Sequence, residues 1–140
     1  MTTAFLFPGQ GSQSPGMLSS LAARPEVADL LATADRVLGE PLSAMIADGP
    51  AEALALTANT QPAMLVAGLA CYRAWQAAGG PAPAFMAGHS LGEYTALAAA
   101  GTFKVDQAIG LVRLRANAMQ QAVPVGTGAM AAILGLSDDL

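Results

Sequence analysis

One serine, Ser90, stands in the run Gly88-His89-Ser90-Leu91-Gly92-Glu93-Tyr94, flanked at two residues' distance on each side by a glycine. A short apolar run, residues 84–87, leads into it, and an alanine-rich run, residues 93–100, follows. A strand that turns sharply into a helix is crowded, and glycines on either side remove the side chains that would clash there. Ser90 would then project from the turn as a nucleophile. The helix beside it would aim backbone N–H groups and a positive dipole end at a developing oxyanion. The five-residue pattern alone arises often by chance. It is the strand before it and the helix after it that make it a nucleophile elbow, suited to acyl transfer.

A serine nucleophile needs a general base within hydrogen-bond reach, usually a histidine held by a third group. The chain has one histidine, His89. Adjacent residues on a tight elbow point apart, so His89 is expected to fix the elbow as a polar neighbour rather than to take the proton from Ser90. The base is therefore missing from these residues. The single cysteine, Cys71, rules out an internal disulfide and any cysteine-cluster metal site, and with Leu69, Tyr72 and Trp75 nearby it reads as a small core residue. The seven methionines read as core filler. No phosphate-type glycine loop or ligand cluster is evident, so no cofactor and no metal are expected.

The elements that must position Ser90 follow from punctuation and periodicity. Residues 3–7 read as a buried strand stopped by Pro8-Gly9, and residues 8–13 as a loop with two glycines. Residues 25–38 read as a helix, with Pro25 in its first turn and Gly39 as its stop. Residues 41–57 read as two short helical pieces broken at Gly49-Pro50, and residues 62–78 as a longer helix ended by Gly79-Gly80-Pro81. The second strand is expected at 84–87. Another helix is expected at 105–123, with Val105, Ala108, Ile109, Val112, Ala116 and Met119 on one face. A hinge-like turn at 124–128, a third strand at 129–134 and a helix start at Ser137 would close the chain. Strands separated by helices imply an α/β fold with a parallel sheet covered on both faces.

Composition narrows the partners. Of 140 residues 54% are hydrophobic and only 11% charged, so much of the chain must be buried. The longest apolar stretch, residues 63–72, falls well short of the roughly 20 residues of a membrane span. The apolar run at 4–7 is too short for a signal peptide, and a cytoplasmic protein is expected. Net charge is −4 with the six basic residues scattered, which argues against nucleic acid.

Five segments in order, Pro8-Gly9-Gln10-Gly11-Ser12-Gln13, Thr60-Gln61-Pro62-Ala63, the elbow, Arg115, and Gly126-Thr127-Gly128-Ala129-Met130-Ala131-Ala132-Ile133, resemble the malonyl-CoA:acyl-carrier-protein transacylases across essentially the whole chain. The resemblance implies a large α/β-hydrolase-like subdomain, here residues 1–124, and a small ferredoxin-like one begun by residues 125–140. It implies transfer of malonyl from malonyl-CoA to acyl carrier protein through an ester on Ser90, with the backbone N–H groups of Gln10 and Leu91 as the oxyanion hole. Arg115 falls on the arginine that pairs with the free carboxylate of malonate, a task suited to a planar, permanently charged fork. On the helical wheel Arg113 and Arg115 flank the apolar stripe equally, and only the resemblance favours Arg115. Gln61 falls on a position near the pocket, expected to bind substrate, although a glutamine before proline also suits a helix entry.

The family continues beyond the point matched by Leu140, and its catalytic histidine lies in that continuation. The expected protein, when complete, is a monomer of fatty acid synthesis. Its rivals are a polyketide synthase-type acyltransferase, an esterase, which would have no use for Arg115, and a non-catalytic fragment lacking the histidine. An embedded polyketide synthase domain would carry a preceding linker, whereas the first strand here starts two residues after Met1.

Overall fold

Two short strands, β1 (Ala4–Phe7) and β2 (Phe85–Gly88), pair in parallel, with Ala4 opposite Phe85 and Phe7 opposite Gly88. Parallel pairing brings both carboxyl ends to one edge, so the loop after β1 and the elbow after β2 emerge side by side. These elements belong to a computed structural model that describes residues 2–123, 126–128 and 135. Six helices complete it: α1 (Pro25–Leu38), α2 (Leu42–Asp48), α3 (Ala51–Leu54), α4 (Thr57–Ala77), α5 (Leu91–Ala99) and α6 (Val105–Ala122). The expected strand at 129–134, the helix start at Ser137 and most of residues 125–140 lie outside the described residues.

Helix α1 forms where its signals place it. Pro25 opens it, Val27, Leu30 and Ala34 form its buried stripe, and Gly39 closes it at φ 67° with its N–H on the Asp35 carbonyl. Asp35 then reaches past that end, its carboxylate accepting from the Ser43 N–H at 2.8 Å and so capping α2 from a neighbouring helix. Helix α4 runs through the middle of the core. Every residue from Thr60 to Ala67 is buried, and α1, α5 and α6 pack around it. Side chains such as Leu65 and Val66 are fully buried, each worth about 1.5–3 kcal/mol of transfer free energy.

The strands lie against this helical body by one face. Phe5, Phe7 and Met86 pack on Tyr72, Ala96 and Ala99, with the Phe5 and Tyr72 rings edge to face at 5.3 Å. The opposite face, which the expected fold would also cover with helices, carries none among the described residues and is bare, with Leu6 78% and Phe85 67% exposed. Cys71 also departs from its reading as a core residue. It is exposed beside an apolar groove along β1, lined in part by Phe5, Phe7, Met17 and Met64.

Helix α4 starts five residues earlier than expected, at Thr57, which leaves Pro62 inside it. A proline there cannot donate to the carbonyl four residues back, that of Ala58. The orphaned oxygen is taken by Arg113, whose Nη1 donates to it at 2.8 Å from α6. No helix of the described residues is long and apolar enough to cross a membrane.

Candidate active site

Ser90 sits at φ 54° and ψ −111°, the only described non-glycine residue with positive φ. That region disfavours a side chain and costs on the order of 1–3 kcal/mol, so the surroundings must hold it there. Two backbone contacts do so. A Cβ on Gly92 would lie 2.1 Å from the Phe7 carbonyl oxygen, and one on Gly88 would lie 1.9 Å from the Gly92 carbonyl carbon. The first turn of α5 is thus pressed directly against the end of β1, and Ser90 is left exposed on the outside of the bend. A methyl group at Gly92 can be accommodated only by moving main chain. Gly92→Ala should therefore destabilise the protein by about 1–3 kcal/mol in denaturant melts, against the usual gain of alanine in a helix.

The elbow leaves one backbone donor free for an anion. Gly92 N–H returns to the His89 carbonyl at 2.8 Å and Glu93 N–H to the Ser90 carbonyl at 3.1 Å. Leu91 N–H, at the first position of α5, has no acceptor among the described residues. Across from it runs the loop after β1. Gly9 packs so closely on His89 that a Cβ there would sit 3.1 Å from the imidazole Nδ1, and Gln10 follows directly. The Gly11 N–H donates to the Gln13 side chain at 2.7 Å, which folds that loop back on itself. His89 is exposed, and its backbone bridges the two strands' ends, N–H to the Phe7 carbonyl at 3.1 Å.

Arg115 reaches the site from α6. Its Nη2 donates to Ser90 Oγ at 3.0 Å and its Nη1 to Gln61 Oε1 at 2.5 Å. The guanidinium carbon also lies 5.5 Å from the centre of the Tyr94 ring, so the aromatic face and the two acceptors fix its plane. Arg113 points elsewhere. It bonds the Ala58 carbonyl and Asn59 Oδ1 and forms an ion pair with Glu40, and burial pushes its guanidinium below its ordinary pKa. The structure thus separates two arginines that the helical wheel leaves equivalent.

Gln61, expected to bind substrate, meets the site through Arg115. It is wholly buried, with its amide oxygen committed to Arg115 and its Nε2 3.1 Å from Met119 Sδ. Arginine only donates, so the oxygen must be the end that faces it. Sequence reasoning gave no sign of Tyr94 in this cluster, although its place four residues after Ser90 on α5 puts it on the same side of the helix. Cys71 is no rival nucleophile. Although it is exposed, partial desolvation against the apolar groove pushes its thiol above its ordinary pKa, the opposite of the activation a nucleophilic cysteine needs. No group of three or more histidine, cysteine or acidic residues that could hold a metal is present among the described residues.

Residues 4–138 match the model of the acyl transferase domain family. The malonyl CoA-acyl carrier protein transacylase of Escherichia coli K12 is 57% identical over 136 residues, which make up 96% of this chain and 44% of that protein. The crystal structure of an acyl-carrier-protein S-malonyltransferase from Burkholderia pseudomallei superposes with a TM-score of 0.92 at 61% identity, over 99% of this chain and 45% of that one. A malonyl-transacylase in complex with a holo type II polyketide synthase acyl carrier protein is similar at 54% identity and a TM-score of 0.84, over 89% of this chain and 40% of that one. The chain thus spans less than half the length of these relatives. With an elbow serine, its glycine-flanked turn and the matching residues from 4 to 138, the chain belongs to the acyl transferase domain family.

Proposed function

We propose that the complete protein moves a malonyl group from malonyl-CoA to the phosphopantetheine thiol of acyl carrier protein, in keeping with its similarity to the E. coli malonyl CoA-acyl carrier protein transacylase. The reading rests above all on the Arg115 guanidinium lying 3.0 Å from Ser90 Oγ. An acyl group esterified to Ser90 that ends in a carboxylate one methylene beyond the carbonyl would place that carboxylate against the arginine. Ser90 Oγ attacks the thioester carbonyl, the C–S bond breaks, and coenzyme A leaves as its thiol. The carrier's thiol then attacks the ester, the C–O bond breaks, and Ser90 recovers its proton. Leu91 and Gln10 N–H groups would receive the oxyanion in both halves.

The proton carrier is the histidine that the family resemblance places in the continuation of the chain, not His89. The same resemblance supports residues 1–124 as part of an α/β-hydrolase-like subdomain, residues 125–140 as the start of a ferredoxin-like one, and a cytoplasmic monomer of fatty acid synthesis. The direct test is transfer of labelled malonyl by the complete protein to holo acyl carrier protein. Label appearing on the carrier supports the reading, whereas release of free malonate without transfer would make the protein an esterase.

A further inference from the structure

Two arginines two residues apart on α6 grip the same end of α4 for different reasons. Arg115 meets Gln61, and Arg113 meets Ala58 and Asn59, one turn before it. The Ala58 oxygen is free to be gripped because Pro62 cannot use it. That turn is fixed from its other side as well, since Asn59 Nδ2 donates to the Ala53 carbonyl at 2.9 Å and Thr60 Oγ1 to the Leu54 carbonyl at 2.6 Å. Glu40, pairing with Arg113 from the α1–α2 connection, keeps the guanidinium in place. Arg113 thus ties the first turns of α4 to α6 next to Gln61, and Gln61 in turn accepts from Arg115 beside Ser90.

We infer that Arg113 is a positioning residue for acyl selectivity, acting through the first turns of α4 and Gln61 on Arg115; this rests on the reading of Arg115 as the carboxylate partner. A guanidinium displaced by a fraction of an ångström or more still carries charge but no longer presents two aligned donors. An acyl group with a distal carboxylate loses by that displacement, and one without it does not.

The experiment compares malonyl and acetyl transfer by the complete protein carrying Arg113→Met, Arg113→Lys or Asn59→Ala, each also in an Arg115→Ala background. Arg113→Met should raise the KM for malonyl-CoA about tenfold, the scale of a misplaced positioning group, and leave acetyl transfer within about twofold. Arg113→Lys, which can still donate to the Ala58 oxygen and pair with Glu40, should recover part of the loss. In the Arg115→Ala background none of the three should change the malonyl-to-acetyl ratio further. Should Arg113→Met fail to fold, Arg113→Lys and Asn59→Ala carry the same comparison. Equal loss of both acyl groups, or an undiminished selective loss without Arg115, overturns the inference alone. An Arg115→Ala protein whose own ratio is unchanged overturns the carboxylate reading, and this inference with it.

Discussion

Incubated with malonyl-CoA, the complete protein should gain one malonyl group on the peptide that carries Ser90, and Ser90→Ala should gain none. Mass spectrometry of a digest reads this directly, and label on any other residue would sink the assignment. Loss of the nucleophile of an acyl-transfer site costs at least about 10⁴ in turnover, because the remaining donors have no covalent intermediate to stabilise. A second measurement isolates the backbone. Alanine at 90 keeps the crowded positive φ of 54°, whereas glycine adopts it freely. Ser90→Gly should therefore be more stable than Ser90→Ala by about 1 kcal/mol in denaturant melts, although both are inactive.

Arg115→Ala should cost malonyl transfer on the order of 2 to 5 kcal/mol, the penalty for truncating one partner of a desolvated charge-assisted pair. That is at least about an order of magnitude in kcat/KM. Acetyl transfer should change far less, since acetyl has no second carboxylate. Steady-state rates with the two thioesters decide it. If both acyl groups lose equally, Arg115 is a structural residue that supports Ser90 and Gln61. The contrast with Arg113 sharpens the test, because Arg113 touches no group of the elbow and its effect should vanish once Arg115 is removed.

The elbow was legible because it is local. Strand, glycine, serine, glycine and helix lie within a few residues, and each has its own signature in the chain. What stayed hidden depends on partners far away in sequence. Pro62 reads as a helix start, yet α4 begins at Thr57 because Arg113, from another helix, satisfies the carbonyl that the proline abandons. The division of labour between Arg113 and Arg115 is likewise decided by what α4 presents to each, and nothing on α6 itself distinguishes them. That Gln61 is wholly buried with its amide oxygen on Arg115 also depends on α6, which its own neighbours in sequence do not reveal. Cys71 has core-like neighbours in sequence but stands on the side of α4 that opens onto the groove beside β1. Residue type predicts burial on average, and the position of the strands decides it in the individual case.

The contact between Gly92 and the Phe7 carbonyl also bears on how the molecule comes to its native state. The backbone hydrogen bonds of helices α1 to α4 close within a few residues, but the bend at Ser90 is braced by β1, near the start of the described chain. Joining them means closing a loop that spans most of these residues, and non-local pairings of this kind are entropically slow to form. Reactivity should thus lag behind helix content during refolding of the complete protein. Stopped-flow circular dichroism would recover its signal first, and the capacity of Ser90 to take up label from malonyl-CoA would return only as β1 docks beside β2.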